Sequence, residues 1–266
     1  MILAFDIGNT NIVIGGFHGE KTAFLTRVST DLARTEMEYA VLLKNLLELY
    51  HVDLASIEGS IVSSVVPPLN NIFIRVLTLL SGKSPLVVGP GIKTGLNIAS
   101  GDPRELGADL VVAAVAALQK YPKPQIILDL GTATTFSVLD RNGVFRGVVI
   151  YPGVKVSFDA LTSRTAQLPS ISFDEPRQVI GTTSVDSMQS GLIYGNAAML
   201  DGLIERIEGE LGEPCTVIAT GGLSSKIIPH CRREILLDED LLLDGLRILY
   251  EKNQKPGKGG KTGNKE

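Results

Sequence analysis

Two aspartates close apolar runs and are each followed by a glycine and small polar residues: Asp6-Ile-Gly-Asn-Thr-Asn11 and Asp129-Leu-Gly-Thr-Ala-Thr134. A carboxylate at a strand end can hold a divalent cation. The glycine lets the chain turn tightly, and the amides and hydroxyls beyond it can cradle phosphate oxygens. One such turn is weak evidence, because a hairpin that opens with Asp looks the same. Two copies, 123 positions apart in a core about twice that long, point to a duplicated unit whose loops clamp a polyphosphate from both sides.

A third element, Val217-Ile-Ala-Thr-Gly-Gly-Leu-Ser-Ser225, runs a strand into Gly221-Gly222 and on to a helix N-cap. Paired glycines permit close backbone approach, to a base or ribose for instance; a turn with positive φ would need them equally. Asp109 stands at the edge of eight apolar residues, Leu110–Ala117. Asp102-Pro-Arg-Glu105 reads as a helix start, with an N-cap Asp, Pro at the first position and Glu three residues after the cap. Asp109 is then two turns into a largely buried helix ending near Lys120, with Glu105 one turn before it. Burial and a like charge both raise a carboxylate pKa, which suits a general base. A surface Asp paired with Lys or Arg is the bland alternative.

The elements that must position these residues alternate. Ile2–Phe5, Ile12–Phe17 and Ala23–Val28 read as strands, and Glu36–Leu49 as an amphipathic helix burying Tyr39, Leu42, Leu43, Leu46 and Leu47. Ser60–Val66 is a strand ended by Pro67-Pro68, Leu69–Leu80 is helical and Leu86–Val88 is a strand. Gln125–Asp129, Thr134–Asp140 and Val144–Ile150 are strands, with Asn142-Gly143 as a hairpin turn. Ser184–Leu211 is one long helix, Thr216–Ala219 a strand and Leu241–Tyr250 a closing helix. Strands then helices, twice over, mean an α/β fold. The halves divide as 1–120 and 121–251, and the Lys/Gly-rich 252–266 reads as a disordered tail.

Composition narrows the function. With 44% hydrophobic and 20% charged residues among 266, the chain can fold and bury a core. Aromatics are 5% with no Trp, which argues against base-stacking binders. The tail's five Lys and one Glu make it +4 of a net −4, leaving −8 on residues 1–251. That is a poor start for nucleic-acid binding. No run approaches the ~20 apolar residues of a membrane span, and no signal peptide opens the chain. Cys215 and Cys231 read as buried thiols of a reducing compartment, so a soluble cytoplasmic protein is expected. His18, in a hairpin turn, and His51 and His230 lack partners at metal-ligand spacing. Gly191 and Gly195 read as sites of close helix packing.

The three glycine loops, in this order, resemble the sugar kinase, heat-shock ATPase and actin superfamily. More specifically the chain is similar to type III pantothenate kinases. Besides the loops, the likeness rests on Gly91-Ile-Lys-Thr-Gly95, Pro103-Arg-Glu-Leu-Gly-Ala-Asp109, Tyr151-Pro-Gly153, Thr165-Ala-Gln-Leu-Pro169, Met188-Gln-Ser-Gly191 and Thr220-Gly-Gly222. It implies two ribonuclease H-like domains with mixed sheets around an ATP cleft, a homodimer, and ATP-dependent phosphorylation of pantothenate, the first step of coenzyme A synthesis.

The resemblance also implies roles. Asp6, Ile7, Gly8, Asn9, Thr10, Asn11, Ile12 and Val13 form the ATP phosphate segment, with Asp6 on the Mg2+ side. Thr132 touches ATP, and Gly221 and Gly222 face its adenosine. Asp129 binds K+ or NH4+. Gly107, Ala108, Asp109 and Leu110 line the pantothenate site, Asp109 is the base, and Ser184 bonds the substrate. Two positions depart from the family: Leu110 stands for an Arg and Ser100 for a Tyr. Leu110 would pack with Leu106, Ala113 and Ala117. An Arg that pairs a carboxylate has no substitute in Leu, so Lys93, Arg104 or Arg164 would have to stand in. These departures leave open a kinase for another small hydroxylated acceptor, or a nucleotide-binding paralogue without catalysis.

Overall fold

The computed structural model describes residues 1–99 and 106–254. The chain opens with a meander of β1 (Ile2–Ile7), β2 (Asn11–His18) and β3 (Lys21–Ser29). Helix α1 (Glu36–Leu49), β4 (Gly59–Ser64), α2 (Pro67–Ser81) and β5 (Leu86–Val87) follow. The five strands form one sheet in the order β3-β2-β1-β4-β5. After the short β6 (Asn97–Ile98) and helix α3 (Ala108–Lys120), the plan repeats with β7 (Gln125–Leu130), β8 (Ala133–Leu139) and β9 (Val144–Pro152). Then come α4 (Val154–Arg164), α5 (Ser184–Ser190), α6 (Asn196–Leu211), β10 (Thr216–Thr220), α7 (Ser224–Ile227), β11 (Leu236–Leu237) and α8 (Leu241–Asn253). The second sheet runs β11-β10-β7-β8-β9-β6. Without β6 it is the first sheet read from its other edge, as a duplicated unit requires.

The central strands β1 and β7 each have antiparallel and parallel neighbours and are buried along their length, which their nearly unbroken apolar runs demand. Helix α1 starts with a capping box: Thr35 Oγ1 accepts from Glu38 N–H at 3.4 Å, and Glu38 Oε2 accepts from Thr35 N–H at 2.7 Å. It buries Tyr39, Leu43 and Leu47 against Phe73, Val76 and Leu77 of α2, outside the first sheet. Leu42, expected on that face, is only half-buried.

Helix α3 is buried from Val112 to Ala117 because it lies inside the molecule with α8. One cluster joins these residues to Ala4 and Ile61 of the first sheet, Ile127 and Leu139 of the second, and Leu243, Leu246 and Leu249 of α8. The two helices nearly touch at Gly245, where a Cβ would come 2.8 Å from Val112 Cγ1. The core thus fixes α3 between the halves, and the start of α3 carries Asp109.

Several expectations need correction. Helix α3 begins at Ala108, with Gly107 as an N-cap that offers no side chain. Asp102 through Glu105 lie outside the described residues, as does Ser100. Asp109 is therefore the second residue of its helix, not two turns in. Pro67 and Pro68 do not merely end a strand; they form the first turn of α2, where a missing N–H costs nothing. The long helix after Ser184 is interrupted by a π turn at Gly191–Gly195. Nothing lies within 4 Å of a Cβ placed at Gly191 or Gly195, so among the described residues of one chain no helix packs there. The N-cap expected after Gly221-Gly222 is Leu223, which offers α7 no side-chain hydrogen bond. Lys252 and Asn253 belong to α8 rather than to a tail; residues 255–266 lie outside the described residues. Helix α4 has no counterpart in the sequence reading.

Candidate active site

Asp6 and Asp129 occupy matching places, each the last but one residue of a central strand. Registered neighbours share a sheet face, so Ser63, Asp6, Val13 and Arg27 form one row across β4-β1-β2-β3. Thr220, Asp129, Thr135 and Ile150 form the matching row across β10-β7-β8-β9.

Beyond each aspartate the chain turns back at a glycine, the second loop being one residue shorter than the first. Gly8 N–H donates to the Asn11 carbonyl at 3.0 Å, and Gly131 N–H to the Ala133 carbonyl at 3.0 Å. Thr30 holds the first loop from outside: its Oγ1 donates to the Gly8 carbonyl at 2.6 Å, and its N–H to the Thr10 carbonyl at 3.0 Å. Gly153 holds the second, its N–H donating to the Thr132 carbonyl at 3.2 Å; a Cβ there would overlap that same carbonyl. The loops meet tip to tip, with 3.2 Å between Thr10 Oγ1 and Thr132 Oγ1.

Within the first loop Asn9, Thr10 and Asn11 are exposed and Gly8 offers backbone. Ile7 and Ile12 are fully buried and belong to the core. Val13 is half-buried against the central cluster. Only backbone atoms of Ile7 and Ile12 could therefore reach a phosphate. Gly221 has φ +97°, and a Cβ there would lie 2.6 Å from both Asp129 Oδ1 and Leu130 N. Its close approach is thus to the strand end carrying Asp129. Gly222 is exposed and open, with Arg27 Nη1 of the other sheet 3.8 Å from a Cβ placed on it.

Three carboxylates share this cleft. Asp6 is lifted to about 7, by burial first and then by the charge of Asp109; the Ser63 hydroxyl beside it works the other way. Asp129 is lifted to about 7 by burial, then by Asp6 and Asp109. Burial also raises Asp109, against hydrogen bonds to backbone N–H groups, one of them from Leu110 N–H to Oδ1 at 2.9 Å. The like charge in this site acts from Asp109 on Asp6 and Asp129; Glu105, expected beside Asp109, lies outside the described residues. No group of three or more potential metal ligands converges on one point among the described residues.

Gly107 and Ala108 lead into Asp109, whose carboxylate folds back where a Gly107 Cβ would be. Leu106 and Ala108 pack on the central cluster, while Leu110 is half-buried and stands apart from it. Ser184 opens α5 and is exposed; the cap is Thr183, whose Oγ1 accepts from Asp186 N–H at 3.1 Å. Lys93 holds its loop through its backbone, Arg164 ends α4, and Arg104 lies outside the described residues. The sequence reading missed Thr30, Thr135 and Arg27. Thr135 and Arg27 reach the site through strand register, and Thr30, just past β3, through its hydrogen bonds to the first loop; both signals appear only once the sheet is built.

The chain matches the family model for type III pantothenate kinase over residues 2–206. It is 45% identical over 255 residues to the type III pantothenate kinase of Exiguobacterium sp., covering 96% of this chain and all of that one. The figures are the same for the Geobacter sulfurreducens type III pantothenate kinase. Among solved structures, the activator of the 2-hydroxyisocaproyl-CoA dehydratase from Clostridium difficile, with bound ADPNP, has a TM-score of 0.55 at 15% identity. That match covers 97% of this chain and 99% of the other, and it places the fold with the actin-like ATPases and sugar kinases.

Proposed function

The chain belongs to the type III pantothenate kinase family and phosphorylates pantothenate with ATP in coenzyme A biosynthesis, and we propose how its residues divide that work. Asp109 is the general base. It accepts the proton of the pantothenate hydroxyl as that oxygen bonds the γ-phosphorus and ADP leaves with the bridging oxygen. The carrying observation is its position: half-buried at the head of α3, between the two loops, with its carboxyl raised by burial. Phosphoryl transfer otherwise asks for positioning and charge neutralisation. The amides and hydroxyls of Gly8–Asn11 and Thr132 serve the phosphates. Gly107, Ala108, Leu110 and Ser184 border the acceptor. Leu110 offers it no hydrogen bond, so the pantothenate carboxylate is met by another residue.

The site suits cations. Burial first, and then neighbouring carboxylate charge, lifts Asp6 and Asp129 to about 7, and Thr135 Oγ1, in register with Asp129, is buried with no hydrogen-bond partner among the described residues. Mg2+ on the Asp6 side and K+ or NH4+ at Asp129 would supply the missing charge. The two free thiols and the substrates support a cytoplasmic site. A homodimer is supported by apolar side chains left in water beyond β9, notably Ile180 at 82% exposed, with Val156 and Val179. The chain divides at residues 120 and 121 into the two halves around the cleft. Among the described residues no helix is long and apolar enough to cross a membrane.

The test is ADP release in MgATP and KCl, with and without pantothenate. Asp109→Asn should abolish pantothenate-dependent turnover while ADP still binds. Full turnover in Asp109→Asn would remove the base from this residue.

A further inference from the structure

Arg27 lies on the edge strand of the first sheet, in one row with Ser63, Asp6 and Val13. It therefore leaves the sheet on the face that carries Asp6 into the cleft. Its guanidinium spans the cleft: Nη1 is the nearest atom, at 3.8 Å, to a side chain built on Gly222 of the second sheet. Gly222 is exposed and follows the strand beside Asp129. Arg27 thus reaches from the edge strand of the first sheet to the Gly-Gly turn of the second.

The charge balance gives that reach a meaning. The described cleft holds three carboxylates, and a nucleotide adds several more negative charges. Among the described residues Arg27 enters none of the ion pairs that occupy Arg34, Arg75, Arg141, Arg146, Arg233 and Arg247. A planar guanidinium offers five donors suited to phosphate oxygens. The matching position of the second row is Ile150, so the duplicated halves differ here in charge. At this row position only the first half carries a cation; Arg146 of β9 lies elsewhere on its strand and pairs with Asp140.

We infer that Arg27 binds the nucleotide's phosphate chain from the Gly222 side, closing the cleft over it. The inference rests on ATP being the phosphoryl donor. A contact to phosphates present in both ATP and ADP is made equally before and after transfer. It lowers the KM for ATP and the Kd for ADP and leaves kcat nearly unchanged.

The experiment is calorimetric titration of the full chain with MgADP and with adenosine, for wild type, Arg27→Gln and Arg27→Lys, beside steady-state kinetics. Arg27→Gln should weaken ADP about tenfold or more, the scale of a lost charged hydrogen bond, and leave adenosine unchanged. ATP KM should rise in step while pantothenate KM holds. Arg27→Lys should recover part of the loss, because it keeps the charge without the fork. Melting without nucleotide should be the same in all three. Unchanged ADP affinity in Arg27→Gln would overturn the inference while leaving the kinase reading intact. Equal losses for ADP and adenosine would overturn it too, because the contact would then be to the nucleoside. A wild type that binds no ADP would end both.

Discussion

Thr10 Oγ1 and Thr132 Oγ1 lie 3.2 Å apart although 122 residues separate them in the chain. The contact joins the tips of two turns that lead from equivalent strands of the two sheets. It brings both hydroxyls to one point above Asp6 and Asp129, where a shared phosphate group can take a hydrogen bond from each. The pair is exposed and neutral, so as a fold contact it contributes at most about 1 kcal/mol.

Its value is therefore in binding. Thr10→Val and Thr132→Val should each raise the ATP KM several-fold and leave the melting temperature of the nucleotide-free protein nearly unchanged. The double variant should lose less than the product of the two factors, since either hydroxyl alone already strands the other's phosphate contact. A full product of the two effects in steady-state kinetics would mean that the hydroxyls serve different groups.

A cation at Asp129, as proposed above, would couple binding to stability. Burial, then the charges of Asp6 and Asp109, lift it to about 7 in the folded protein. A carboxyl raised on folding favours the fold only while it keeps its proton. That contribution is whole below about pH 4, where the unfolded group is protonated too, and is lost as pH rises through 7. Asp129→Asn stays neutral, so at about pH 8 in potassium-free buffer it should melt above wild type. The gap should close as pH falls. Wild type should gain stability on replacing tetramethylammonium chloride by KCl, and Asp129→Asn should not. Differential scanning calorimetry across pH reads both. A wild-type protein that melts equally in the two salts at high pH would remove the cation from this residue.

The paired glycines separate cleanly. Gly221 has φ +97°, and a Cβ would come 2.6 Å from Asp129 Oδ1 and from Leu130 N. Gly221→Ala must push the end of β7 aside and strain the backbone, a cost of about 1–3 kcal/mol. It should lower the melting temperature and, by moving Asp129, raise the KCl needed for half-maximal rate. Gly222→Ala meets only the guanidinium of Arg27 at van der Waals distance. It should melt like wild type. Equal losses of stability in both variants would contradict this geometry.

Much of the site was legible in sequence because its parts are local. Each Asp-x-Gly loop is a strand end, a carboxylate and a tight turn within six residues, and its repetition forecast the duplicated sheet. Helix α1 was legible to the residue, since its apolar face repeats over 14 residues between clear ends. The start of α3 was not. Asp102-Pro-Arg-Glu105 satisfies every local rule for an N-cap, yet the helix starts at Ala108. Its start decides whether Asp109 is mid-helix or at the helix head, beside the opposing loops. Arg27 was hidden for a different reason: nothing near it in sequence marks it, and only the registers Asp6–Val13 and Val13–Arg27 bring it to the cleft. Lys252 and Asn253 sat at the start of a Lys/Gly-rich stretch whose composition masked the last turn of a helix.

That last turn makes the final prediction. Lys252 Nζ donates to the Thr94 carbonyl at 2.7 Å. Asn253 accepts from Lys93 N–H at 2.9 Å and donates to the Lys93 carbonyl at 3.0 Å. The end of α8 thus holds the turn between Gly91 and Gly95, where Gly95 has φ +74°. The chain passes from that turn through β6 towards Gly107 and Asp109. Truncation after Gln254 removes none of these bonds and should leave melting temperature and kinetics as they are. Truncation after Glu251 removes them all and should loosen the approach to α3. The pantothenate KM should rise more than the ATP KM, because the phosphate loops are held elsewhere, by Thr30 and Gly153. Lys252→Ala with Asn253→Ala in the full chain should reproduce the effect. Equal kinetics for the two truncations would show that the helix end does not position the acceptor side.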